Sequence, residues 1–162
     1  YGQVPVDDSG SDALPAYAPD QAPDPHFRNP VHCVRIAKDG LVYVCDRVND
    51  RIQVFRKDGT FETEFFIETD TLGPGSTWDL DTSRDKRETY LFNADGSNNY
   101  VWTLLRESGI ILDSFGRNGR NAGQFHWVHN LAVDSHGNIY TAEVDTGKRA
   151  QKFEPIGNRP VD

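Results

Sequence analysis

From Asn29 onward the chain alternates short apolar runs with clusters of Gly, Asp and Asn, and no stretch of useful length carries a helical period. Val34-Arg35-Ile36 is followed by Lys38-Asp39-Gly40 and then by Leu41-Val42-Tyr43-Val44-Cys45-Asp46. Asn49-Asp50-Arg51-Ile52-Gln53-Val54-Phe55, the turn pair Asp58-Gly59 and the run Phe61 to Phe65 complete the unit. Apolar runs of strand length bounded by turn residues predict four strands joined by three turns.

The same order returns twice. A second unit runs from Trp78-Asp79-Leu80-Asp81 through Tyr90-Leu91-Phe92-Asn93-Ala94-Asp95, Asn98-Asn99-Tyr100-Val101-Trp102 and Ser108-Gly109 to Ser114-Phe115-Gly116, with a longer first turn. A third reads Leu131-Ala132-Val133-Asp134, His136-Gly137-Asn138-Ile139-Tyr140, Glu143, then Gly147 to Phe153, and stops after its third strand. Asp46, Asp95 and Glu143 stand 49 and 48 residues apart, and Gly59 to Gly109 and Phe65 to Phe115 are steps of 50. That period is one four-stranded blade per repeat, and blades bury their aliphatic faces against each other. The expected fold is all-β, a β-propeller with three blades at residues 29–73, 74–125 and 126–162, the last lacking its outer strand. Three blades cannot close around an axis, so the remainder of a ring is expected from another copy, another chain or further sequence.

Residues 1–28 depart from this pattern. They hold five of the nine prolines and five aspartates against the single Arg28, too little apolar surface for a core, and read as a long irregular surface connection. The net charge of −8 argues against nucleic acid, whose binders present a basic face. Nothing approaches 18 consecutive apolar residues, so no membrane span is expected. The chain begins at Tyr1 with no initiator Met and no signal-like stretch, which suggests a processed, truncated or fragmentary chain. Cys33 and Cys45, the two cysteines, flank the Lys38-Asp39-Gly40 turn. A three-residue loop sets them directly opposite and a two-residue loop sends them to opposite faces, so register decides between a disulfide and two buried thiols.

Asn49 to Phe55 and the aspartate before it resemble the NHL repeat, whose units read Val-x-Val-Asp-x-x-Gly-x-Ile-Tyr-Val-x-Asp and then Asn-x-Arg-Ile-x-x-Phe. Blade two is the weaker match, with Tyr100 at the usual Arg. The resemblance extends to the C-terminal half of secreted bacterial six-bladed NHL propellers. It implies an extracellular or periplasmic location, a Tyr1-Gly2 stretch that finishes a preceding blade, and an inter-blade loop from Ala16-Tyr17 to Pro25. The strand-two carboxylate and the arginine after it are expected to fix the blade edge.

In such a fold the inner strand of each blade lines a central channel, and polar residues at its entrance converge. His32 precedes Val34 by two and His129 precedes Leu131 by two, 97 residues apart, with Ser76 read into the same slot of blade two. Cys33, Ser76, Thr77, Asp79 and Asn130 are the further candidates for the channel lining. Imidazoles two blades apart suit zinc or another divalent metal, which in a catalytic site takes three protein ligands and keeps one position open. The arrangement resembles peptidyl-hydroxyglycine amidating lyase, an NHL propeller with zinc on channel histidines. That family also uses a tyrosine two residues past a strand-two aspartate, where this chain has Val48, Ser97 and Asp145, so no catalytic base carries over. His26, His126 and His136 read as solvated. Asp79, Asp81 and Asp134 read as turn formers rather than calcium ligands, and Trp78, Trp102 and Trp127 as inter-blade packing. No Gly-rich phosphate loop, Cys-x-x-Cys pair or nucleophile elbow is present. The favoured reading is a binding or scaffold propeller for a protein, peptide or glycan; the alternative is a lyase or hydrolase with a metal in the channel.

Overall fold

The computed structural model describes residues 16–22 and 24–156. Among the described residues eleven strands form three antiparallel sheets. The first holds β1 (Val31–Ile36), β2 (Val42–Asp46), β3 (Arg51–Phe55) and β4 (Phe61–Phe66). The second holds β5 (Asp79–Thr82), β6 (Tyr90–Asp95), β7 (Tyr100–Leu105) and β8 (Ile111–Phe115), and the third β9 (Val128–Val133), β10 (Ile139–Glu143) and β11 (Arg149–Phe153). Strands pair in chain order within each sheet, and the first strands β1, β5 and β9 lie side by side. The sheets are therefore propeller blades fanned about a common hub. Among the described residues blade three has no outer strand. The expected completion of a preceding blade by Tyr1-Gly2 lies outside the described residues.

Strand alternation gives each blade two faces, and those that meet between neighbouring blades are buried. The trailing face of blade one presents Tyr43, Cys45, Ile52, Val54 and Phe65, which pack with Leu80, Leu91 and Leu104 of blade two. Blade two repeats the step with Ala94 and Val101 against Val128, Leu131, Val133 and Ile139 of blade three. The leading face of blade one has no blade beside it among the described residues. Val42, Val44 and Phe55 are nonetheless buried there, because Phe27 packs over them, its ring 6.1 Å from that of Phe55. Val34, Ile36 and Phe61 on the same face stay exposed. The Pro/Asp-rich segment is thus more than a surface connection near its end: the His26 carbonyl accepts hydrogen bonds from Arg51 and Asn49, and Arg28 donates its amide to Asp46.

The first hairpin turns through three residues, with Gly40 at φ 90°, where a side chain on Cβ is strained. Cys33 therefore faces Cys45 directly, and the two form a disulfide with Cα atoms 4.9 Å apart. Of the two outcomes that register left open, the disulfide holds.

The carboxylate–arginine element is an ion pair in two blades. Arg51, 2% exposed, meets Asp46 at 2.8 Å, and Arg149 meets Glu143 at 2.6 Å. Each arginine also donates to carbonyls of the segment entering its blade, His26 in one case and Gln124 in the other. Blade two, with Tyr100 in that place, satisfies Asp95 through Asn98 and the Trp102 indole instead. Asp79 and Asp81 are neither turn formers nor grouped for calcium: they accept the amides of Leu131 and Val133, tying β5 to β9. Asp134 does close a turn, accepting the amides of His136 and Asn138.

Candidate functional site

The two histidines of the inner strands share an unusual backbone position. On β1 the pairing steps from Val31↔Asp46 to Cys33↔Cys45, which leaves His32 as an extra residue. On β9 it steps from Val128↔Glu143 to Asn130↔Ala142, which leaves His129 as the extra one. Each histidine is the bulged residue of its strand, and a bulge re-aims a side chain that regular pleating would send into a blade interface. Their rings come together at the hub, with centroids 4.7 Å apart.

Each imidazole is held through Nδ1. His32 Nδ1 contacts the Trp78 carbonyl, an oxygen that only accepts, so Nδ1 carries the proton. His129 Nδ1 stands 2.9 Å from Asn130 Oδ1 and donates in the same sense. In both rings Nε2 is the nitrogen left with its lone pair. Burial, reinforced by the nearby Arg47 and His129, holds the His32 pKa below its usual value despite the Trp78 carbonyl, so the ring is neutral.

Structural equivalence moves the blade-two slot by two residues. Val34 pairs with Val44, Leu80 with Asn93 and Leu131 with Thr141, each partner two residues before the strand-end carboxylate. The residue equivalent to His32 and His129 is therefore Trp78, not Ser76. Ser76 and Thr77 are fully buried between blades: Ser76 donates its amide to Asp50 at 2.7 Å, and Thr77 its hydroxyl to the Arg51 carbonyl. Asp79 and Asn130 flank the pair, 3.3 Å apart, and Cys33 sits beside His32 in the disulfide. His126 bonds Thr146 and His26 pairs with Asp24, away from the hub pair, while His136 is exposed in its turn. Among the described residues no three His, Cys, Asp or Glu side chains are grouped to hold a metal.

Two residues of this site are not singled out for it by the sequence. Trp78, 3% exposed, has its ring 5.6 Å from His32 and 5.2 Å from His129. Arg47 lies with its guanidinium carbon 4.5 Å from the indole centroid. It forms no ion pair among the described residues, its Nε is buried without a hydrogen-bond partner, and burial lowers its pKa. A signal for Arg47 exists in the repeat: the residue after the strand-two carboxylate is Gly96 in blade two and Val144 in blade three. A separate cleft of about 220 Å³ lies between the entering segment and blade one, lined by Tyr17, Asp24, Arg28, Asn49, Phe66 and Thr69.

Residues 29–55 match the NHL repeat model. Over 85 residues the chain is 29% identical to peptidyl-alpha-hydroxyglycine alpha-amidating lyase 2 of Drosophila melanogaster, a match covering 52% of this chain and 20% of that protein. Among solved structures it superposes on virginiamycin B lyase from Staphylococcus aureus, determined in a catalytically inactive form with quinupristin, with a TM-score of 0.54 and 14% identity over 83% of this chain and 44% of that one. The Cps50 β-propeller domain of Myceliophteria thermophila gives a TM-score of 0.53 at 12% identity, over 76% and 38%. The match spans about one fifth of the amidating lyase and less than half of either solved chain. The repeat signature, the three blades and these likenesses agree: the chain carries an NHL repeat at residues 29–55 and has the fold of a partial β-propeller.

Proposed function

We propose that this chain supplies part of a ligand-binding site at the hub of a ring, in which His32 and His129 hold a divalent metal and Arg47 receives an oxygen-bearing group of the ligand. The observation that carries this is the pair of bulged imidazoles 4.7 Å apart, each with Nδ1 engaged by an oxygen. A metal-binding histidine is ordinarily oriented by such a bond on its other nitrogen. The donor set fits zinc, since neutral imidazole nitrogens are its common ligands. The further ligand belongs to residues beyond those described, as does the catalytic base, because Val48, Ser97 and Asp145 supply no tyrosine. A bound zinc would supply Lewis acidity and a bound water acidic enough to ionise near neutral pH. The chain's own residues do the rest: His32 stays neutral through burial, and the unpaired Arg47 guanidinium offers donors beside the pair.

The reaction class favoured is a lyase, on the amidating-lyase relative and the propeller lyase among the solved neighbours. The disulfide is in keeping with an oxidising compartment, extracellular or periplasmic. The uncovered apolar residues of blade one suit completion of the ring by further blades, from another copy, another chain or further sequence. A second reading, a scaffold that binds a peptide or glycan without metal, is favoured by the cleft of mixed polar and apolar lining beside the entering segment.

Metal analysis of the purified full-length protein separates the two. The metal reading expects about one zinc or other divalent ion per ring, lost in His32→Ala/His129→Ala. A stoichiometric ion that survives the double substitution, or no ion after zinc loading, overturns it.

A further inference from the structure

One residue touches every functional group of the hub site. The Trp78 carbonyl accepts from His32, and its indole packs against His129 with ring planes at 80°. The same indole lies beneath the Arg47 guanidinium. It is itself fixed on several sides: Nε1 donates to the Gly75 carbonyl at 2.7 Å, and Trp127 packs edge-on with centroids 5.3 Å apart. The backbone around it is shaped to fit, since a Cβ on Gly96 would stand 2.8 Å from the indole. A buried indole bonded at its nitrogen and enclosed by ring and backbone has little freedom to turn.

We propose that Trp78 is the positioning residue of this site, its carbonyl orienting one imidazole and its indole the other imidazole and the guanidinium. The proposal rests on the reading that His32 and His129 bind a divalent metal. Trp78 occupies in blade two the slot that holds a histidine in blades one and three, so the ring places an aromatic spacer between two donors. An indole face also holds Arg47 without neutralising it. A carboxylate in that place would occupy the guanidinium donors, whereas the π face leaves them for a ligand.

The test uses the full-length protein, with zinc alone as the probe. Trp78→Leu removes the ring, Trp78→Phe keeps an aromatic face, and Gly96→Ala crowds both the indole and the Val128 carbonyl that precedes His129. Trp102→Leu, in the same blade but away from the histidines, reports general loosening. Zinc affinity measured calorimetrically is expected to fall about 10- to 100-fold in Trp78→Leu, the range for loss of a residue that orients a metal ligand. Gly96→Ala should fall in the same direction, Trp78→Phe should recover most of the affinity, and Trp102→Leu should keep it while lowering the unfolding midpoint. In metal-free protein the nuclear Overhauser contact between the two imidazoles should persist in Trp78→Phe and vanish in Trp78→Leu. Unchanged affinity and a retained contact in both Trp78→Leu and Gly96→Ala overturn the proposal, as does an equal affinity loss in Trp102→Leu. If wild-type protein takes up no zinc, the metal reading fails. Loss of the imidazole contact in Trp78→Leu would then still support the positioning role.

Discussion

Asp50 is the residue whose chemistry is most at odds with its surroundings. Its carboxyl is fully buried between blades one and two and accepts the Ser76 amide at 2.7 Å through Oδ1, while Oδ2 has no partner. Burial, with Asp95 adding to it and the Ser76 bond opposing it, raises the pKa from 3.8 to about 7. A folded pKa above the unfolded one means that the folded state binds the extra proton. Stability from this group is then complete below about pH 4 and lost as pH rises through about 7. A rise of that size corresponds to about 4 kcal/mol. Blade two shows the uncharged alternative: Asn99, also at positive φ, accepts the Trp127 amide at 2.9 Å. Asp50→Asn keeps an acceptor for Ser76 and removes the ionisation, but sets an amide nitrogen where Oδ2 lacked a partner, at a cost of about 1–3 kcal/mol. The net expectation is a gain of about 1–3 kcal/mol at pH 8 and little change or a slight loss at pH 4. Urea unfolding of full-length protein at the two pH values reads this directly. A variant no more stable than wild type at pH 8 would show that Asp50 carries its charge at ease, and the reasoning would fail.

Three further outcomes follow from the blade contacts. Asp46→Ala strands the buried Arg51 and should cost about 3–5 kcal/mol in chemical denaturation, whereas a loss below about 1 kcal/mol would show that Arg51 is held by its other partners. Replacing both Cys33 and Cys45 with Ala releases a closure of 12 residues and should lower stability by about 3 kcal/mol by the same assay; no change would argue against the bond in solution. Phe27→Ala uncovers Val42, Val44 and Phe55 and should cost about 1–2 kcal/mol, less than a full core truncation because Phe27 is only half-buried, and an unaltered midpoint would mean that the entering segment does not dock there.

The architecture is legible in the sequence because repetition multiplies a weak signal. Any one of Leu41 to Asp46 or Tyr90 to Asp95 is an ambiguous apolar run, but a shared period near 49 residues leaves few folds. The site is only half legible. His32 and His129 stand out by equal offsets from Val34 and Leu131, yet what aims them is a one-residue slip in strand pairing, and a bulge leaves no mark on residue type. The blade-two slot is misplaced for a related reason: the approach to β5 has its own length, so counting back sets Ser76 where hydrogen bonding sets Trp78. Arg47 is marked in the sequence only by having Gly96 and Val144 at the equivalent positions, and the tertiary contact with Trp78 is what gives that difference a meaning. Phe27 is hidden by the Pro- and Asp-rich composition around it, which describes the average of the segment and not its one buried ring.

Blade stacking that brings two bulged imidazoles to one point at the hub, with their Nε2 atoms free for a metal, is tested most directly by crystallography. Crystals of the full-length protein grown with zinc would be measured on both sides of the zinc absorption edge. The expected result is a single strong anomalous peak bonded to Nε2 of both His32 and His129, at about 2.0–2.1 Å from each. Two imidazoles that point away from each other, or a peak bonded to neither, would contradict it.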